Sequence, residues 1–165
     1  MTDLLRLSRV SIGELTTRRV DLSRLAEDIL SQLRSEAPER QVEQRIAPGI
    51  VAEGDAGLLR IVLENLLSNA WKYMAKCARA WIEFGARLES DCSLLFYVRD
   101  NGAGFDMKHA AQLFQPFRRL HRQEEFPGSG VGLATVQRIV SRHGGRIWAE
   151  AAPGQGAAFY FTLRA

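Results

Sequence analysis

Three short polar patterns in this 165-residue chain place together residue types that handle metal ions, phosphates and flat rings. The first is Asn65, Asn69 and Lys72. At about 100° per residue on a helix, these three fall within roughly 60° of one another. Leu59, Val62, Leu63, Leu66, Leu67, Ala70 and Tyr73 occupy the neighbouring apolar face. Asparagine is a poor helix former, so two of them in mid-helix carry a cost that propensity does not explain. An amide carbonyl is a neutral oxygen ligand for a hard cation, and Mg²⁺ accepts few protein ligands when phosphates and waters supply the others. Lys72, one turn on, would meet a phosphate as a point charge. The bland alternative is a solvated helix face.

The second pattern is Asp100-Asn101-Gly102-Ala103-Gly104. Asn-Gly alone suits a hairpin turn, but Phe105-Asp106-Met107-Lys108 does not read as a returning strand and looks like the start of a helix. Asp100, an acceptor-only carboxylate at a strand end, would hold an exocyclic amine. Gly102 and Gly104 would let the backbone approach a flat ring. The third pattern, Gly128-Ser129-Gly130-Val131-Gly132-Leu133-Ala134, opens a helix whose free amides make an anion site. Its G-x-G-x-G spacing is neither the dinucleotide fingerprint nor a P-loop. Arg118, Arg119 and Arg122 lie just upstream, and solvated arginines on a surface loop are the bland alternative.

The elements that must position these residues follow from periodicity and punctuation. Asp21-Leu22-Ser23 starts a helix, with Ser23 placed as N-cap, and Pro38 ends it. Short strands fit residues 42–46 and 50–53 around Pro48-Gly49, and a long helix fits 57–73. Strands fit 80–88 and 94–99, then a long Gly- and Pro-punctuated connection covers 101–129, a length typical of functional lids. A helix over 131–143, stopped by Gly144-Gly145, and strands over 146–150 and 157–163 complete the chain. The class is α+β, with one mixed, mostly antiparallel sheet covered on one face by helices.

With 46% hydrophobic and 25% charged residues, the chain reads as one ordinary globular domain. No apolar run approaches the ~18 residues that span a membrane. The two cysteines, Cys77 and Cys92, form no C-x-x-C, and a reduced cytoplasmic setting is expected. The net charge is +3, but 22 Lys+Arg alternate with 19 Asp+Glu, so no nucleic-acid partner is expected.

Each pattern is weak alone, but their order is specific. Asn65…Asn69-Ala70-x-Lys72-Tyr73, Asp100-x-Gly102-x-Gly104, Phe114-x-Pro116-Phe117 and Gly128-x-Gly130-x-Gly132-Leu133 resemble, in order, the N, G1, F and G2 boxes of the catalytic, ATP-binding domain of sensor histidine kinases. The stretch Phe117-Arg118-Arg119-Leu120-His121 with Glu125-Phe126-Pro127-Gly128 looks most like phytochrome-type and PAS-linked kinases. The resemblance implies a Bergerat-type α/β sandwich with a flexible ATP lid. It implies ATP and Mg²⁺ as ligands, with Asn69 the main metal ligand and Asn65 assisting. Lys72 and Arg119 would contact phosphates, Tyr73 would flank the adenine or ribose, and Asp100 would bond the adenine amino group. Gly102 and Gly104 would line the base, and Phe114 and Phe117 would anchor the lid. Gly128, Ser129, Gly130, Val131, Gly132 and Leu133 would carry the lid and offer amides to the phosphates.

The implied partners are a histidine-bearing dimerisation domain and a response-regulator receiver domain, with no membrane contact by this chain. Residues 1–20 read as the end of a dimerisation helix and a linker, and 21–165 as the kinase domain. The family's phosphate-accepting histidine precedes an acidic residue. Here His109 precedes Ala110, His121 precedes Arg122 and His143 precedes Gly144. His121 reads as a lid residue and His143 as a cation at a helix C-terminus. Nucleotide binding without self-phosphorylation is expected. The alternatives are an ATP-hydrolysing clamp and a non-catalytic docking module. Hydrolysing relatives carry a carboxylate base where Asn65 stands, and an amide takes no proton from water. Glu64 is adjacent but lies about 100° away around the helix.

Overall fold

Apolar side chains recurring at three- and four-residue spacing from Leu59 to Trp71 wind the central helix and bury its face completely. The computed structural model describes residues 15–74, 77–89, 93–108, 114 and 132–163. Their elements run β1 (Thr17–Asp21), α1 (Leu22–Glu36), β2 (Glu43–Ile46), β3 (Val51–Asp55), α2 (Ala56–Tyr73), β4 (Trp81–Leu88), β5 (Leu94–Asp100), α3 (Gly132–Arg142), β6 (Ile147–Ala151) and β7 (Ala157–Thr162). The class is α+β, as the sequence implies. Residues 1–14 and the connection carrying Phe117, Arg118, Arg119, His121, Arg122, Gly128, Ser129, Gly130 and Val131 lie outside the described residues.

The main sheet has five strands in the order β2-β4-β5-β7-β6. The β2–β4 pair is parallel and the others are antiparallel. One row faces the helices: Ile82 and Phe84 on β4, Phe96 and Val98 on β5, Phe159 and Phe161 on β7. Phe96 stacks on Phe161 with centroids 5.3 Å apart. Helix α2 lies between α1 and α3 and joins their apolar faces to this row in one core. The outer face is a ladder of arginines over aromatic rings, with Arg45 over Trp81 at 4.7 Å, Arg87 over Tyr160 at 5.6 Å and Arg146 over Trp148 at 4.6 Å.

The structure departs from the sequence expectation in the number of sheets and in the cap of α1. A single sheet was expected, yet β1 and β3 form a separate two-stranded ribbon. The strands flanking Pro48-Gly49 therefore do not pair with each other. Ser23 explains this: its hydroxyl donates to Ala47 O at 2.7 Å and accepts from Ile50 N at 2.9 Å, holding both sides of the turn against α1. Buried there, Ser23 is not the N-cap. Asp21 caps α1 by accepting from Arg24 N at 3.0 Å.

Candidate active site

Helix α2 starts at Asp55, whose Oδ1 accepts from Leu58 N at 3.1 Å. From that cap, Asn65, Asn69 and Lys72 come out in one half-buried row, as their spacing requires. Asn65 Nδ2 donates to Ile61 O at 2.8 Å, which fixes its rotamer and turns its oxygen outward from α2. The start of α3 packs against that oxygen: a Cβ at Gly132 would lie 2.6 Å from Asn65 Oδ1. Gly132 is thus the residue that lets the α3 N-terminus, with Leu133 following, reach the amide row. Lys72 Nζ lies 5.9 Å from the Tyr73 ring centroid. Glu64 points elsewhere, paired with Arg60 Nε at 2.8 Å.

The other end of the site is built from backbone. Asp100 continues the inward row of Phe96 and Val98, which places a carboxyl among apolar side chains, 7% exposed. Burial pushes it up to about 6, against the opposing N–H donors of Gly102 and Ala157. Its Oδ1 accepts from Gly102 N at 2.8 Å. The chain then crosses the end of α2: Ala103 N donates to Tyr73 O at 3.0 Å, and Ala103 O accepts from Gly154 N at 2.7 Å. A Cβ at Gly102 would strike Tyr73 O, and one at Gly104, already at φ +64°, would strike Ala152 O. Both glycines are required by close approach rather than by a hairpin. After them the chain enters a 3₁₀ turn at 107–108, and residues 109–113, where a helix is expected to continue, lie outside the described residues. Phe105 and Phe114 both pack on Phe159, with centroids 6.4 Å away in each case, so the described end of the connection is anchored on β7.

Two contributors are backbone or support groups that residue type alone does not reveal. Tyr73 acts here through its carbonyl. Asn101 holds the loop before β4, accepting from Trp81 N at 2.8 Å and donating to Arg79 O at 2.8 Å. Its place in Asp-Asn-Gly is a signal, read at first as a turn. His143 is also corrected. It is 6% exposed, and Nε2 accepts from Asp55 N at 3.0 Å. Nδ1 must therefore carry the proton that Ile139 O accepts at 2.8 Å. The ring is neutral, because a helix-end cation would leave Asp55 N–H facing another donor.

A family profile described as Histidine kinase-, DNA gyrase B-, and HSP90-like ATPase matches residues 54–165, which contain both ends of this site. The chain belongs to that family. Among relatives of this ATPase domain, cyanobacterial phytochrome B from Nostoc sp. is 39% identical over 163 residues, covering 98% of this chain and 22% of the relative. The methanogenesis regulatory histidine kinase FilI of Methanothrix harundinacea is 37% identical over 164 residues, covering 99% of this chain and 18% of FilI. The crystal structure of full-length ShkA in complex with AMPPNP is similar with a TM-score of 0.77 and 27% identity, over 99% of this chain and 35% of ShkA. The mycobacterial sensor histidine kinase MprB gives a TM-score of 0.74 at 25% identity, over 88% of this chain and 97% of that one. Phytochrome-type proteins among the relatives agree with the resemblance read from the sequence. The domain thus has the fold of histidine kinase catalytic domains and spans a minor part of the curated relatives' length. No helix among the described residues is long and apolar enough to cross a membrane.

Proposed function

We propose that this ATPase domain binds Mg·ATP and donates the γ-phosphoryl group to a histidine on a separate dimerisation domain, from which a response-regulator receiver domain would draw it. The observation that carries this reading is the two-ended site on α2. A buried carboxyl stands at the base end, bonded to Gly102 N in a loop whose next residue, Ala103, is tied to the Tyr73 carbonyl. One helix face of amides and an ammonium meets the α3 N-terminus at the other.

Asp100 would accept the adenine amino group, a charge-assisted bond inside a desolvated site. Gly102 and Gly104 bring backbone to the ring's face and edge, with Tyr73 flanking. Lys72 would bind phosphate oxygens, and the α3 amides after Gly132 and Leu133 would add N–H donors. Arg119, Phe117 and Gly128 to Val131 complete the proposed lid. The donor set suits Mg²⁺: Asn69 and Asn65 offer neutral oxygens, and among the described residues no cluster of His, Cys, Asp or Glu competes for a softer metal. Bound there, the ion would neutralise phosphate charge. In the transfer, a neutral imidazole nitrogen forms the bond to the γ-phosphorus, the bond to the β-phosphate's bridging oxygen breaks, and ADP leaves. The imidazole proton goes to a base on the acceptor's side. Such transfer needs positioning and charge compensation more than covalent help.

Transfer is favoured over hydrolysis by Asn65, which cannot deprotonate water, and by Glu64, which is held by Arg60. The test mixes this chain, radiolabelled ATP, Mg²⁺ and a purified histidine-bearing dimerisation domain. Acid-labile phosphate on the acceptor, and none on this chain alone, is expected. Release of inorganic phosphate without transfer, or label on this chain by itself, contradicts it.

A further inference from the structure

Three elements meet at Asp55. Its Oδ2 accepts from Thr16 N at 3.1 Å, where the chain leads into β1. Its Oδ1 caps α2, and its N–H donates to His143 Nε2, just beyond α3. The imidazole is also packed on Gly54, where a Cβ would stand 2.9 Å from Nε2 and Cδ2. So His143 is bonded to its own helix through Ile139 and to the start of α2 through Asp55.

The far end of α3 is at Gly132, against Asn65. From Asp55 to Asn65 is about 15 Å along α2, and from His143 back to Gly132 is about 16 Å along α3. The two helices therefore run antiparallel, matched in length between two contacts. One contact is directional, the His143–Asp55 hydrogen bond. The other is the close approach of Gly132 to Asn65; between the two, Val136, Ile139 and Val140 bury the apolar face of α3 in the core, a packing that is not directional. A helix fixed at one end by a hydrogen bond cannot slide or rotate at the other without breaking it.

We propose that His143 is a positioning residue: by bonding Asp55, it sets the register of α3 on α2 and so holds the α3 N-terminus over the Asn65–Asn69 row. The inference rests on the reading of that row as the phosphate end of the site. Because the base end is fastened separately, to Tyr73 O and Gly154 N, loosening α3 weakens the phosphate contacts and leaves the base contacts alone.

The test measures binding of AMPPNP with Mg²⁺, and of adenosine, to the wild type and three variants, with folding followed by circular dichroism. His143→Asn keeps the amide that can bond Ile139 O, in the manner of Asn65 on Ile61, but does not reach Asp55. His143→Gln keeps an acceptor at the Nε2 position. Gly54→Ala pushes aside the ring and, with it, Leu59 Cδ1, 2.8 Å from the added Cβ, without altering any polar group, so it is read together with His143→Asn. Expected is a roughly tenfold loss of AMPPNP affinity in His143→Asn and Gly54→Ala, as for one lost buried hydrogen bond, with adenosine affinity changed less than about twofold and His143→Gln near wild type. An equal fall for both ligands would mean His143 only maintains the fold, and no change in any folded variant would mean register does not depend on it; either overturns the proposal. If the wild type itself binds adenosine but shows no added affinity for AMPPNP, the phosphate-end reading fails, and the inference with it.

Discussion

The two ends of the site are built by different means. At the base end, backbone groups do the holding: Gly102 N on Asp100, Ala103 N on Tyr73 O and Gly154 N on Ala103 O. At the phosphate end, side chains project from one face of α2 toward the end of another helix, and Asn65 is held by Ile61 O. A backbone-built end is shaped before any ligand arrives and tolerates little added volume. A side-chain end can be altered residue by residue, each change removing one interaction. Substitutions at the base end should therefore act on every adenine ligand alike, and those at the phosphate end in proportion to the phosphates present.

The largest effect is expected at Gly104. Alanine there meets a left-handed backbone at φ +64° and the Ala152 carbonyl. A loss of about 3 kcal/mol in stability, read by urea unfolding, should accompany equal losses of adenosine and AMPPNP binding. Wild-type stability would show the base end to be pliable. Next comes Asp100→Ala, expected to weaken adenosine and ATP alike by about 1.5–3 kcal/mol, through loss of a charge-assisted bond. An equal loss of GTP affinity would remove Asp100 from reading the amino group.

A change in pH separates stability from binding. Asp100 titrates at about 6 when folded and near 3.8 when not. Between pH ~4 and ~6 the unfolded chain gives up this proton first, so stability falls as pH rises, by up to about 3 kcal/mol, and is flat above. Nucleotide affinity moves the other way. It needs the carboxylate and should drop roughly tenfold from pH 7 to pH 5, about 1.4 kcal/mol. Parallel pH trends in the two would contradict the assignment. The smallest effect is that of Asn69→Ala, about 1 kcal/mol, confined to Mg·ATP and absent for adenosine. An equal effect with and without Mg²⁺ would place Asn69 outside the metal's reach.

The same division explains what the sequence made legible. The row Asn65, Asn69 and Lys72 is a matter of helical period, and the structure keeps it. Asp100 at a strand end was legible locally, whereas Gly102 and Gly104 read as room for a flat ring, and the carbonyls that require them, Tyr73 and Ala152, are far away in sequence. What was missed depends on distant partners. β1 has only Val20 buried, so it lacks the alternation that marks a strand, and it exists through pairing with β3. Pro48-Gly49 signals a turn but not which sheets its flanks join. His143 shows the same limit: beside Gly144-Gly145 it reads as a helix-end cation, until Asp55, in another element, supplies a donor that requires a neutral ring.

The most direct measurement is a calorimetric titration of this chain with adenosine and with AMPPNP, each with and without Mg²⁺. Saturable binding of both is expected, tighter for AMPPNP, with Mg²⁺ strengthening AMPPNP alone. Mg²⁺ that leaves AMPPNP binding unchanged, or no binding at millimolar ligand, would contradict a two-ended Mg·ATP site on α2.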